Sequence, residues 1–350
     1  MTNSSDTNNR LNSERRRKEK LKVGVVGLGG IGNNHARCYT ANPHTDVVAV
    51  CDMNKERADK AASTYGAQAF YSVRSMLKSG IKLDGCSMCS AGVENGGDHY
   101  TPTMELLKAG IPVLGEKPIS NDVSKARRMV KLAKEKRVRY GINLNHRFTP
   151  AAVRAKKWMD EGRLGELNIV NMTMWINNPN ESSPWFHIRA LHPHSLDVMR
   201  YFAGDVDRVQ AFFKKGKGRK IWSNVQANLQ YKNGVIGHLT GSYDAGGSYG
   251  LETCELVGSE GRVLINEACE KLSYFPRFSK EVETYDYLGG MMGFPDTFPS
   301  RIGAWVDDLR KKTPPSKVDA KAEDALKVQL VIESIIKSWE TGKVIKVPQA

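Results

Sequence analysis

Residues 21–32 read LKVGVVGLGGIG, an apolar run that closes on Gly27, Gly29 and Gly32. The GxGxxG spacing gains its meaning from its position, directly after a strand pattern and at the opening of a helical one. The first glycine turns the chain, the second lets backbone approach a pyrophosphate, and the third lets helix and strand pack closely. The helix amino terminus then offers N–H groups and partial positive charge to phosphates. Twenty residues beyond Gly32 the next strand, DVVAVCD, ends in Asp52. A carboxylate there accepts hydrogen bonds from ribose hydroxyls and repels a 2′-phosphate, which predicts NAD rather than NADP. Lys55 and Arg57 nearby leave some room for NADP.

Working outward, short apolar runs alternate with helical patterns as far as VRYGINLN (138–145). That alternation predicts βαβ units and a parallel sheet covered on both faces. From residue 146 the grammar changes: one helical segment, PAAVRAKKWMDEGRLGE, leads into strands with period-two patterning. Asn233-Gly234 between two alternating runs marks a hairpin, and TCELVGSEGRVLIN marks another. A late helix, AEDALKVQLVIESIIKSWETG, follows. The expected fold is α/β: a Rossmann domain at 21–145, then an α+β domain at 146–350 with a large, open, mostly antiparallel sheet. An open sheet face favours burial against a second copy, so a homodimer or homotetramer is expected.

The chain has 350 residues, 40% of them hydrophobic, enough for two domains and a sizeable core. No window approaches the ~18 consecutive apolar residues of a membrane span. Residues 1–20 are polar and then basic, without the apolar core of a secretory signal; they read as a flexible tail, and the cytoplasm is the expected compartment. The net charge is +14, of which the tail supplies +3, and the remainder is spread along the chain. Spread charge without aromatic-interleaved basic motifs argues against nucleic acid and suits anionic cofactors. The CxxC pair Cys86 and Cys89 lies in a buried-strand pattern that points the two thiols to opposite faces, and no second CxxC completes a zinc site. No metal is expected.

GEKPIS places Glu116, Lys117 and Pro118 at the carboxyl end of a predicted strand, the edge where open α/β sheets bind ligands. A lysine before proline is backbone-restricted, and the bond between them can be cis. In RALHPHSLDVMRYFAG (189–204), His194 and Asp197 share one helix face, so the carboxylate is expected to orient the imidazole. Pro193 between His192 and His194 is expected to break helical regularity and turn His192 elsewhere.

Together VGVVGLGGIG, CDMN, GEKPIS, GINLNHRFTP and HPHSLDVMRYFAG resemble the glucose-fructose oxidoreductase / inositol dehydrogenase / MocA family of NAD(P)-dependent oxidoreductases. The resemblance implies oligomerisation through the second domain's sheet, sugars or polyols as substrates, and a Lys117 that reaches the reacting hydroxyl. In that family an aspartate usually stands four residues before the histidine; here the position is Ala190, and His187, Arg189 or His192 are candidates to replace it. NAD is expected to touch Gly27, Gly29, Gly30, Ile31, Gly32, Asp52, Met53, Arg57, Ser90, Glu116, Lys117 and Asn145. Substrate is expected to meet Lys117, Arg147, Trp175, His187, Arg189 and His194, with the Trp-, Asn- and Ser-rich stretch TMWINNPNESSPWFHIR suited to a sugar face.

The expected chemistry is oxidation of a ring hydroxyl of a sugar, glycoside or cyclic polyol. A free imidazole titrates near ~6.5 and a free lysine near ~10.4, which favours His194 as base and Lys117 as the group holding oxygen, the roles open to exchange. Three rivals stand beside this: a variant in which bound NAD is recycled by a second substrate, a regulator that binds NAD without chemistry, and a metal-dependent hydrolase using His187, His192, His194 and Asp197.

Overall fold

The computed structural model describes residues 20–245, 251–266, 270–286 and 296–350; most of the amino-terminal tail and Cys269 lie outside them. The first half forms a six-stranded sheet from β1 (Leu21–Val26), β2 (Thr45–Cys51), β3 (Gln68–Phe70), β4 (Gly85–Met88), β5 (Val113–Gly115) and β6 (Tyr140–Ile142). Their order is β3-β2-β1-β4-β5-β6 and every pairing is parallel. This doubly wound order reverses between β1 and β4, so a crevice opens beyond their carboxyl ends. Gly27, Ser90, Glu116–Lys117 and Asn143–Asn145 follow β1, β4, β5 and β6 in turn and therefore share that edge.

Burial on both faces explains the unbroken apolar strands. Val26, Met88 and Ile142 face one core, whereas Val23, Val25 and Leu114 face the other. Cys86 packs in the first and Cys89 in the second, and both are free thiols, as the strand reading required. The second core is closed from far along the chain: the helix Thr297–Arg310 brings Phe298, Ile302, Trp305, Val306 and Leu309 against it. Trp305 is fully buried, and truncating it to alanine costs about 3–5 kcal/mol.

The second sheet has nine strands: β7 (Leu167–Trp175), β8 (Val206–Lys214), β9 (Asn224–Tyr231), β10 (Ile236–Ser242), β11 (Leu251–Gly258), β12 (Gly261–Asn266), β13 (Lys271–Pro276), β14 (Glu283–Tyr285) and β15 (Ile345–Lys346). The order is β14-β13-β12-β11-β7-β10-β9-β8-β15; β7 runs parallel to β10, and the other pairings are antiparallel. Both anticipated hairpins form, as β9–β10 and β11–β12. One face is covered by the helices His192–Ala203 and Ala322–Thr341, which bury Leu196, Met199, Val331 and Ile335 against Met172, Met174 and Leu239. The opposite face carries exposed Phe212 and Ile236. No helix of the described residues is long and apolar enough to cross a membrane.

Candidate active site

The glycine turn divides into positions that cannot carry a side chain and positions left open. Gly27 has φ +84°, and a Cβ on Gly32 would lie 1.7 Å from the Gly27 carbonyl oxygen. A Cβ on Gly29 or Gly30 would meet nothing within 4 Å, so backbone there is open to a ligand. The helix Gly30–Ala41 starts without a side-chain cap and without an acid in its first turn, leaving its N–H groups for an anion. Asp52 stands at the end of β2; its Oδ2 accepts from Leu28 N at 2.7 Å and its Oδ1 from Asn54 N at 2.9 Å, so the carboxylate is aimed along the turn. These residues fit a dinucleotide. Ile31 is partly buried, and Met53 and Arg57 are exposed beside Asp52. Ser90 Oγ donates to the Asp98 carbonyl, and Asn145 is buried with its amide on Thr297 Oγ1.

The Lys117–Pro118 peptide is cis. Beneath it lies a buried polar chain: Glu116 Oε1 is 3.0 Å from His35 Nε2 and 2.5 Å from Asn143 Nδ2, while His35 Nδ1 is 2.9 Å from Ser87 Oγ. Burial pushes the Glu116 carboxyl up, but the hydrogen bond and charge of His35, with Lys117 and Asn143, outweigh it and hold the group below the usual carboxylate range. Lys117 crosses to the second domain, where its Nζ donates to the Ala190 carbonyl at 3.0 Å. The position that carries no carboxylate thus supplies a backbone oxygen. Burial pulls the Lys117 ammonium below its ordinary range, with Glu116 opposing.

His194, four residues on, enters the helix His192–Ala203 beside this amine. Pro193 sits in the first turn of that helix, where a missing N–H is harmless, so it opens the helix instead of breaking it. Burial holds His194 well below its ordinary value, reinforced by His146, Lys117 and His192. The ring stacks on His146, with centroids 4.1 Å apart and planes at 20°.

The family description "Oxidoreductase family, NAD-binding Rossmann fold" matches residues 21–144, and "GFO/IDH/MocA C-terminal domain" matches residues 152–264, together about two thirds of the chain. The chain belongs to the glucose-fructose oxidoreductase / inositol dehydrogenase / MocA family. Its first domain is therefore an NAD-binding Rossmann domain. Levoglucosan dehydrogenase of Pseudarthrobacter phenanthrenivorans is 24% identical over 71% of this chain and 74% of its own length. Inositol 2-dehydrogenase of Rubrobacter xylanophilus is 26% identical, covering 94% of each. In fold, the chain is similar to a solved levoglucosan dehydrogenase in complex with NADH and L-sorbose, with a TM-score of 0.84 at 21% identity, over 95% of this chain and all of that one.

Within this family frame, several expected contacts are corrected by the structure. Asp197 does not orient His194: both of its oxygens accept from Arg147, through Nε at 2.7 Å and through Nη2. Arg147 also reaches Asp319 at 2.8 Å, so its guanidinium is committed to acids and not free for substrate. Burial alone would lower Arg147, but Asp197 and Asp319 outweigh it and hold it charged. Arg189 is likewise engaged, bidentate with Glu333 at 2.9 and 3.0 Å and 3.4 Å from Glu94 of the first domain; it ties the domains together. His187 and His192 face each other through Nε2 at 3.0 Å, fully buried beneath Tyr243 and Gly241, away from any open surface. Trp175 follows Met174, which packs on Ser195, so strand alternation sends the indole to the helix-free face. Among the described residues no three His, Cys, Asp or Glu side chains converge as metal ligands. His35, Asn143, His146 and Glu252 were not anticipated; of these Asn143 and His146 lie inside the marked motif GINLNHRFTP, whereas His35 and Glu252 do not.

Proposed function

We propose that this protein is an NAD-dependent dehydrogenase that oxidises a ring hydroxyl of a sugar, glycoside or cyclic polyol, with Lys117 and His194 handling the proton. The observation that carries this reading is the approach of Lys117 from the first domain to the segment of the second that bears His194, at the carboxyl edge of the Rossmann sheet. The names of relatives that act on inositol and levoglucosan support the substrate class.

Oxidation of a secondary alcohol releases a proton from oxygen while the C–H bond gives up its electron pair. Gly29, Gly30 and Asp52 would hold NAD, which when bound would supply the acceptor for that pair as a hydride. Burial lowers both candidate bases. His146, His192 and His194 are buried beside a half-buried Lys117, and His194 lies well below its ordinary value, neutral at pH 7 and a poor proton acceptor. Lys117 starts about 4 units higher and is pulled down by burial. Lys117, held on the Ala190 carbonyl beside the helix that carries His194, is assigned the role of taking the hydroxyl proton, and His194 that of hydrogen-bonding the same oxygen. The Ala190 carbonyl orients the amine without giving it a counter-charge.

The helix-free face, with exposed Phe212 and Ile236, supports assembly as a homodimer or homotetramer. NADH formation across a panel of inositols, hexoses and their glycosides tests the reading. Turnover of at least one member is expected; NAD binding with no reduction by any of them would favour the regulator.

A further inference from the structure

The ring of His194 is held from outside its own helix. Arg147 occupies Asp197, and the face of His194 is covered instead by His146, stacked at 4.1 Å. His146 comes from the turn Asn145–Phe148 after β6, and its Nδ1 lies 2.8 Å from Oε1 and 2.7 Å from Oε2 of Glu252 on β11. Glu252, His146 and His194 are 6%, 5% and 3% exposed. A carboxylate only accepts, so Nδ1 of His146 carries hydrogen, and two near-equal contacts fix the plane of its ring.

Resting on the dehydrogenase reading, we propose that Glu252 and His146 are positioning residues that hold His194 for the reaction, delivering from β11 the acidic support that position 190 lacks. The torsion that turns an imidazole about its Cβ–Cγ bond is broad, so a histidine without a partner in its plane or on its face does not hold one orientation. Stacking on His146 supplies that restraint, and Glu252 supplies it to His146. Among the described residues, the charged and titratable groups that act on His194 include Lys117 from the first domain, His192 on its own helix, and His146 backed by Glu252. Displacement of a reacting group by ~1 Å costs on the order of 10²-fold in rate, which sets the size of effect a loosened His194 should show.

The test uses the full chain. Glu252→Gln keeps the shape of the side chain but loses its charge, His146→Ala removes the stacking ring, and His146→Phe keeps a ring without the hydrogen bond. For the substrate identified by NADH formation, kcat is expected to fall about 10-fold to 100-fold in Glu252→Gln and His146→Ala, with KM for NAD unchanged, and to recover in part in His146→Phe. In the NAD-free protein, proton NMR should show a downfield imidazole N–H that moves upfield in Glu252→Gln. Wild-type kcat in both Glu252→Gln and His146→Ala, or equal losses in His146→Ala and His146→Phe, overturns the proposal and leaves the dehydrogenase reading intact. A wild-type protein that reduces no NAD overturns that reading instead; the NMR signature then decides the pair, and a downfield resonance that is absent or indifferent to Glu252→Gln overturns it too.

Discussion

Lowering the pH from 7 to 5 should weaken the fold by about 2 kcal/mol through His187, with His192 acting in the same direction. Their Nε2 atoms are 3.0 Å apart, which requires a single hydrogen between them, and both rings are fully buried. Burial drives His187 down to about 3, against a weaker opposing contact with the Trp222 backbone, with Arg219 adding to the fall. Burial and the charge of His187 hold His192 well below its ordinary value as well. In the unfolded chain both imidazoles titrate near ~6.5. Below that pH the unfolded chain binds protons that the folded chain does not, so stability falls as pH falls, and for His187 the loss ends only when the folded ring protonates near 3. Asp205 does not confound this window. Although burial works against it, Lys327 and Arg200 hold it at about 2, and its contribution is lost only as pH falls below the unfolded carboxylate range. The His187 share alone is about 2 kcal/mol over these two pH units, set against a typical stability of about 5–15 kcal/mol. Urea unfolding followed by tryptophan fluorescence at pH 7, 6 and 5 measures the slope. His187→Gln, which keeps a hydrogen-bonding side chain, should flatten it by about 2 kcal/mol. A wild-type loss under about 1 kcal/mol, or an unchanged slope in His187→Gln, refutes the reasoning.

Gly32→Ala places a Cβ 1.7 Å from the Gly27 oxygen and should lower the melting temperature by many degrees, whereas Gly29→Ala meets no protein atom within 4 Å and should fold normally yet bind NADH at least about 10-fold more weakly in a fluorescence titration. Arg147→Met leaves Asp197 buried without its partner and should cost about 3–5 kcal/mol in denaturant unfolding; Arg147→Met with Asp197→Leu should recover most of that loss. Asp52→Ser removes the acid that repels a 2′-phosphate, so the ratio of NADPH to NADH dissociation constants should fall by about 10-fold or more; an unchanged ratio would place the ribose elsewhere.

Features with local signals were legible in the chain, and those built by distant residues were not. The glycine turn and Asp52 announce themselves because turn, helix start and acid are fixed by spacing along β1 and β2. Asn233-Gly234 specifies its hairpin for the same reason. The i,i+3 spacing of His194 and Asp197 sets them on one face of the helix His192–Ala203, but Arg147, 50 residues away in sequence, takes the carboxylate. His146 and Glu252 are separated by 106 residues, and no pattern in either segment points to the other. The helix Thr297–Arg310 returns to pack on the first sheet, a topological fact that amphipathic periodicity does not encode. Trp175 could have been placed from the sequence: Val170, Met172 and Met174 alternate as the core face of β7, which puts residue 175 on the other side.

The measurement nearest the centre of the account is turnover of Lys117→Met beside wild type, with NADH affinity determined on both proteins. Removing the amine while keeping its apolar stem should lower kcat by about 10²-fold to 10⁴-fold and leave the NADH dissociation constant within a few-fold. Near wild-type kcat in Lys117→Met, with cofactor binding intact, would contradict it.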